Sequence, residues 1–266
     1  MRRFSPEYLR DTRRGLWEDR SPLADLDLGG RERILDVGAG TGEFTRILRE
    51  ESDADILATD ADVDLLGAGN LENAAVGEAT RLPFVDGAFD LVVCQALLVN
   101  LPEPRAAIAE FARVSTDLVA AVEPDNTQVE VTSTVSAEGP LSRRARGYYM
   151  DGLETDAGLG AAVPGLFREA GLREIRVRRS LHERTVEPPY SNAALESAKR
   201  KATGSRLADQ RATMLKSELT PAAYESLLDE WQAMGRTIAD QMAAGEYRRT
   251  ATVPFYVTVG QVGAPE

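Results

Sequence analysis

The stretch RILDVGAGTGEF, residues 33–44, limits what this chain can fold into more than any other. An apolar run of strand length carries an acid at position 36, glycines follow at 38, 40 and 42, and a helical pattern starts at Glu43. Glycine has no Cβ and enters positive φ at little cost, so the chain can turn sharply there and a ligand can lie against its main chain. The helix that begins just beyond presents N–H groups with no intrahelical partner. Strand, glycine turn and helix in that order open a βαβ unit and direct the rest of the chain toward a parallel sheet with right-handed crossovers.

The pattern downstream agrees. Apolar runs with strand character occupy 33–38, 54–60, 74–79, 89–96 and 118–124, with helical patterns between most of them. A helix is expected over 163–171, with Pro164 near its start and Gly171 as its stop, then a sixth strand over 173–179 and a last strand over 253–262. A long helix is expected between Thr220, a natural N-cap, and Gly245, because Tyr224, Leu227, Leu228, Trp231, Met234, Ile238 and Met242 recur at helical spacing. Residues 5–20 read as an amphipathic helix with Tyr8, Leu9, Leu16 and Trp17 on its apolar side, whereas the polar stretch after 124 has no clear pattern. The expected organisation is a helical cap over 1–30 and an α/β domain over 31–266 that carries a helical insertion at about 188–248.

Two ligand classes compete for the glycine turn. Dinucleotide folds use GxGxxG and set a pyrophosphate on the helix dipole. This chain has GxGxG, with Asp36 two residues before the first glycine and Glu43 directly after the last. Two carboxylates at the turn oppose a pyrophosphate and suit a ligand whose near end carries an ammonium or sulfonium group.

Four blocks in order and spacing then carry a resemblance. LDVGAGTGEF, ATDADVDLL, GEATRLPFVDGAFDLVVCQALLVNL and VAAVEPDN resemble the motifs of class I S-adenosylmethionine-dependent methyltransferases of the type-11, ubiquinone-methyltransferase-like kind, over roughly residues 30–125. The resemblance implies a Rossmann-like, doubly wound, seven-stranded sheet, mostly parallel with the last strand antiparallel, plus the helical cap. It implies S-adenosyl-L-methionine as cofactor, with its methionine end at Asp36, Gly38, Ala39, Gly40 and Gly42. Asp60, 18 residues beyond Gly42, with Ala61 beside it, would hold the ribose. Glu78 would accept from the adenine amino group next to Ala79, and Gln95 would floor the pocket. The family usually has Asp where this chain has Glu78, and the longer carboxylate can accept the same hydrogen bond.

The implied reaction is methyl transfer to a small-molecule acceptor. Such a displacement gains from alignment in a dry pocket and requires no fixed triad. Acceptor-side candidates come from segments after the strand ends, the ligand edge of an open α/β sheet: Asn100, Glu123, Asp125, Tyr148 and Tyr149. His182, the one histidine, has the pKa of a base but is as readily structural, so no general base is assigned. Tyr8, Arg13, Arg14 and Trp17 would meet the cofactor's carboxylate or line the substrate cavity, with a solvated face as the preferred reading of the two arginines. A catalytically inactive cofactor-binding sensor or partner subunit is the alternative, and an NAD-dependent oxidoreductase is disfavoured by the glycine spacing.

Composition excludes several other classes. Cys94 is the only cysteine, so a disulfide within the chain, a multi-thiolate metal site and chemistry needing a thiol pair are all out, and no metal is expected. A net charge of −12 works against nucleic acid, whose phosphates need a basic surface. No run of about 18 apolar residues and no secretory signal is seen, which makes a cytoplasmic location the expectation. Only three of the 31 basic residues are lysines, Lys199, Lys201 and Lys216, a balance that fits either a high-salt cytoplasm or an arginine-biased acidic protein.

Overall fold

In a computed structural model of the chain, residues 5–263 are described; residues 1–4 of the expected cap and 264–266 at the end of the α/β domain lie outside the described residues. The chain divides into two compact units. The first comprises 1–125, 158–180 and 254–266, and the second 126–157 and 181–253.

The first unit is an α/β sheet. Its strands β1 (Arg33–Val37), β2 (Asp55–Asp60), β3 (Ala74–Val76), β4 (Phe89–Gln95) and β5 (Ser115–Pro124) run parallel in the spatial order β3-β2-β1-β4-β5. The last strand, β8 (Arg249–Gln261), pairs antiparallel with β5, setting Val122 opposite Val257, and β7 (Arg173–Val186) also pairs with β8. Helices α2 (Glu43–Glu51), α3 (Val63–Gly69), α4 (Pro104–Val114) and α6 (Val163–Glu169) connect the strands, and α1 (Pro6–Arg13) precedes them. The central strands read as continuous apolar runs because both faces are covered. Val92 and Cys94 of β4 and Val119 and Ala121 of β5 are buried with Ile108 and Phe111 of α4 and Val163 and Phe167 of α6.

The doubly wound sheet and the antiparallel last strand follow the expectation, while several boundaries differ. The N-terminal helix stops at Arg13, because Gly15 takes φ +75°, and the rest of the expected span is turn and loop before a 3-10 turn over Ser21–Leu26. The third strand ends at Val76, where Gly77 packs against Thr59. β7 runs seven residues past the expected end at 179, and it is in this extension, Ser180 to Val186, that covered and exposed residues alternate.

The second unit is mainly helical and includes the stretch whose sequence pattern was unclear. That stretch forms β6 (Glu130–Ser133), antiparallel to the start of β8, and α5 (Glu138–Asp151). Helices α7 (Asn192–Ala202), α8 (Ser205–Met214) and α9 (Pro221–Ala243) complete the unit. The side chain of Thr220 caps α9 by accepting from the Ala223 amide at 3.2 Å. The apolar stripe of α9 is core, as its spacing indicated: Tyr224, Leu227, Trp231, Met234 and Ile238 are all buried. Gly235 is where α7 meets α9, since a Cβ there would lie 2.3 Å from the Ala202 main-chain nitrogen. Glu138, fully buried, accepts from Lys201 Nζ, Tyr247 Oη and Arg249 Nε at 2.5, 2.8 and 3.1 Å.

Candidate active site

The site begins with the way β1 delivers its carboxylate. Asp36 lies between Ala58 of β2 and Val93 of β4 in the parallel register, so its side chain is enclosed at the carboxyl end of the sheet. The turn that follows takes φ +72°, +58° and +78° at Gly38, Gly40 and Gly42, the left-handed region that other residues enter at a cost. Close packing adds a second requirement: Cβ atoms at Gly38 and Gly40 would lie within 3.0 Å of the Leu97 and Leu9 side chains.

Asp60 shapes this turn. Its Oδ2 accepts from the Gly40 amide at 2.8 Å and its Oδ1 from the Asp62 amide at 2.9 Å, while the amides of Gly38 and Ala39 donate to the Thr59 carbonyl. Ala61, half-buried, follows directly. Val76 pairs with Asp60 across β2 and β3, which puts Glu78, exposed, and Ala79, buried, at the same end of the sheet.

Three side chains around the turn have buried polar atoms with no partner among the described residues. Asp36 is 1% exposed; its Oδ2 accepts from Thr45 Oγ1 at 2.6 Å and its Oδ1 has no partner. Burial raises this carboxyl to about 6, against the lowering effect of the Thr45 hydrogen bond. Gln95 at the end of β4 accepts from the Trp17 indole N–H at 3.2 Å, and its own Nε2 is unpartnered. The Arg13 side chain is 12% exposed, has its Nη1 4.0 Å from Glu43 Oε2, and makes no hydrogen bond through that nitrogen. A buried polar group without a partner costs on the order of 1–3 kcal/mol, so three around one turn describe a site shaped for a polar ligand.

The two N-terminal arginines separate. Arg14 is 76% exposed and paired with Asp11, the solvated face expected of both, whereas Arg13 turns inward because α1 seats Leu9 against Gly40. Trp17 is buried and stacks on Phe44 of α2 with ring centroids 5.2 Å apart.

The acceptor-side candidates scatter. Asn100 is buried and its side-chain amide donates to the Ala96 carbonyl, holding the turn after β4. Glu123 is fully buried at the end of β5 and accepts main-chain amides of residues 97–99. Asp125, also buried, closes the first unit. Tyr148, Tyr149 and His182 belong to the second unit, where the two tyrosines pack against the helical core and His182 is buried on β7. Sequence reasoning missed Thr45, although a polar residue between the apolar Phe44 and Leu48 of α2 was a readable signal.

Part of the first unit is similar to known proteins. The methyltransferase domain family matches residues 35–117, from the first strand through β4 and α4 into β5. Residues 35–117 resemble a methyltransferase domain. Within it, a demethylmenaquinone methyltransferase of Mycolicibacterium paratuberculosis is 39% identical over 92 residues, 34% of this chain and 40% of that protein. A protein of the same description from Corynebacterium urealyticum is 37% identical over 102 residues, 38% of this chain and 44% of its own length. The matched part of the chain thus spans less than half the length of these curated relatives.

Solved structures extend the likeness in fold alone. A methyltransferase candidate from Bacillus halodurans superposes with a TM-score of 0.54 at 14% identity, covering 93% of this chain and all of that one. Phosphoethanolamine N-methyltransferase 2 of Haemonchus contortus, solved with phosphomonomethylethanolamine and S-adenosylhomocysteine, gives 0.50 at 13% identity over 98% of this chain and 59% of its own. These likenesses concern the fold of the chain and not its chemistry.

Proposed function

We propose that this protein binds S-adenosylmethionine in the glycine-turn site and transfers its methyl group to a small-molecule acceptor. The observation that carries the reading is the set of three unpartnered buried atoms: a carboxylate oxygen on Asp36, a guanidinium nitrogen on Arg13 and an amide nitrogen on Gln95. They are the complements of an amino-acid end, which presents an ammonium and a carboxylate. A pyrophosphate would meet Asp36, Glu43 and Asp60 together with Arg13 as the nearby cation, and the charge would be wrong.

In this reading Asp36 accepts from the ammonium, while Arg13 and Gln95 donate to the carboxylate. Gly38, Ala39, Gly40 and Gly42 allow the main chain to pass close to the ligand. Each Asp60 oxygen already accepts one amide and keeps a second lone pair, so the carboxylate can accept ribose hydroxyls while still bracing the turn. Glu78 accepts from the adenine amino group between Ala61 and Ala79. The bound cofactor supplies an electrophilic methyl on a sulfonium. What the chain adds is orientation and exclusion of water, with Trp17, Phe44 and Leu9 closing the amino-acid end.

The descriptions of the relatives name methyltransferases, which supports transfer over an inactive sensor. Their similarity covers the cofactor half, so their quinone substrate does not carry over, and the acceptor here is a small organic molecule. The net charge of −12 supports an acceptor other than nucleic acid, and the same reading sets the protein in the cytoplasm. Asn100, Tyr148, Tyr149 and His182 are its acceptor-side candidates. Incubation with methyl-labelled cofactor and a metabolite extract, followed by mass detection of methylated products, tests the activity. Labelled products dependent on Asp36 support it; thermal stabilisation by NAD, with none by S-adenosylmethionine, rejects it.

A further inference from the structure

Glu123 is an anomaly in a site otherwise explained by a bound ligand. Its carboxyl is fully buried, yet among the described residues no arginine or lysine donates to it in a hydrogen bond. Its partners are main-chain amides: Leu97 and Leu98 donate to Oε1 at 2.9 Å each, and Val99 donates to Oε2 at 3.3 Å. The Cys94 thiol lies 3.6 Å from Oε1. Burial pushes this carboxyl up to about 7 despite the amides that favour its charged form.

Those amides belong to the segment that floors the amino-acid end of the site. The chain leaves β4 at Gln95, reverses at Ala96 with φ +50°, an uncommon conformation for alanine, and enters the 3-10 turn Leu98–Asn100. Leu97, the first residue held by Glu123, fills the space that a Cβ on Gly38 would need, its Cδ1 2.8 Å from that position. Gln95, two residues earlier, carries the unpartnered amide and accepts from Trp17. One carboxylate on β5 thereby fixes both the residue packed on the glycine turn and the strand end that presents Gln95.

We infer that Glu123 is a positioning residue for the amino-acid half of the cofactor site, acting through the main chain of residues 97–99 and the seat of Leu97 on Gly38. The inference rests on the proposed cofactor reading. It assigns Glu123 no contact with the acceptor and no proton-transfer role, in contrast to the expectation that placed it on the acceptor side.

The test compares two nucleosides on the full chain by calorimetry: S-adenosylhomocysteine, which has the amino-acid end, and 5′-methylthioadenosine, which lacks it. Glu123→Gln keeps the shape but turns an NH2 group toward an amide donor. The variant is expected to weaken S-adenosylhomocysteine by on the order of tenfold, the scale of one charge-assisted hydrogen bond, and to leave methylthioadenosine within about twofold. Glu123→Asp, which keeps the charge on a shorter arm, is expected to recover part of the difference. An equal loss for both nucleosides, or no loss for either in a folded variant, overturns the inference. Absence of binding by the wild-type chain to either nucleoside overturns the cofactor reading instead, so the two failures are distinguishable.

Discussion

The indole N–H of Trp17 donates to Oε1 of Gln95 at 3.2 Å, joining the N-terminal segment to the end of the fourth strand across the glycine turn. The same ring stacks on Phe44, the second residue of the helix that leaves that turn. Trp17→Phe keeps the aromatic contact and removes the donor, leaving both ends of the Gln95 amide unpaired in a buried place. Stability should fall by about 1–3 kcal/mol, read from denaturant midpoints, and affinity for S-adenosylhomocysteine should fall with it.

Arg13 turns inward where Arg14 faces solvent, and the proposed reading gives only Arg13 a ligand contact. Arg13→Leu should reduce S-adenosylhomocysteine affinity by on the order of tenfold or more, since a charge-assisted bond is worth about 1.5–3 kcal/mol, and leave methylthioadenosine unchanged. Arg14→Leu, at the exposed neighbour paired with Asp11, should leave both affinities as they were. Equal effects from the two variants in calorimetric titrations would remove Arg13 from the site.

The Asp36 carboxyl makes ligand binding and stability respond to pH in opposite directions. Burial raises its pKa from 3.8 to about 6, so the folded, ligand-free chain holds this proton more tightly than the unfolded chain. Lowering the pH from 7 to 5 therefore adds stability through this group, whereas affinity for a ligand ammonium, which needs the ionised form, falls through about pH 6. Thermal midpoints with and without S-adenosylhomocysteine should converge on acidification. Asp36→Asn should bind weakly and lose the part of the pH dependence centred near 6.

In the helical unit two substitutions should destabilise without any direct effect on the glycine turn. Gly235→Ala drives a methyl to 2.3 Å from the Ala202 nitrogen and should cost about 1–3 kcal/mol or more, because the obstacle is main chain. Glu138→Ala leaves buried Lys201 without its carboxylate and should cost about 3–5 kcal/mol. Urea unfolding monitored by circular dichroism reads both.

What the sequence made legible was whatever depends on local pattern. The alternation of apolar runs and helical stripes gave the sheet and the α9 core, and the spacing of Asp36, Gly38, Gly40 and Gly42 marked the turn, whereas the bracing of Gly40 by Asp60 came only from the structure. What it did not reveal depends on partners distant in the chain. Arg13 and Arg14 are adjacent and identical in type; only the seat of Leu9 on Gly40 decides which one turns inward. Trp17 meets Gln95 across 78 positions and Glu123 meets Leu97 across 26, separations over which periodicity carries no information. Residues 126–157 lacked a pattern because their helix α5 buries only Glu138, Leu141 and Ala145, one of them charged and compensated by residues more than 60 positions away.

Titration of S-adenosylhomocysteine into the full chain and into folded Asp60→Ala bears most directly on the glycine-turn site. The account predicts saturable one-to-one binding by the wild type and its loss in the variant, since Asp60 braces Gly40 and, in the proposed reading, holds the ribose. No binding by the wild type, or the same affinity in both proteins, would contradict it.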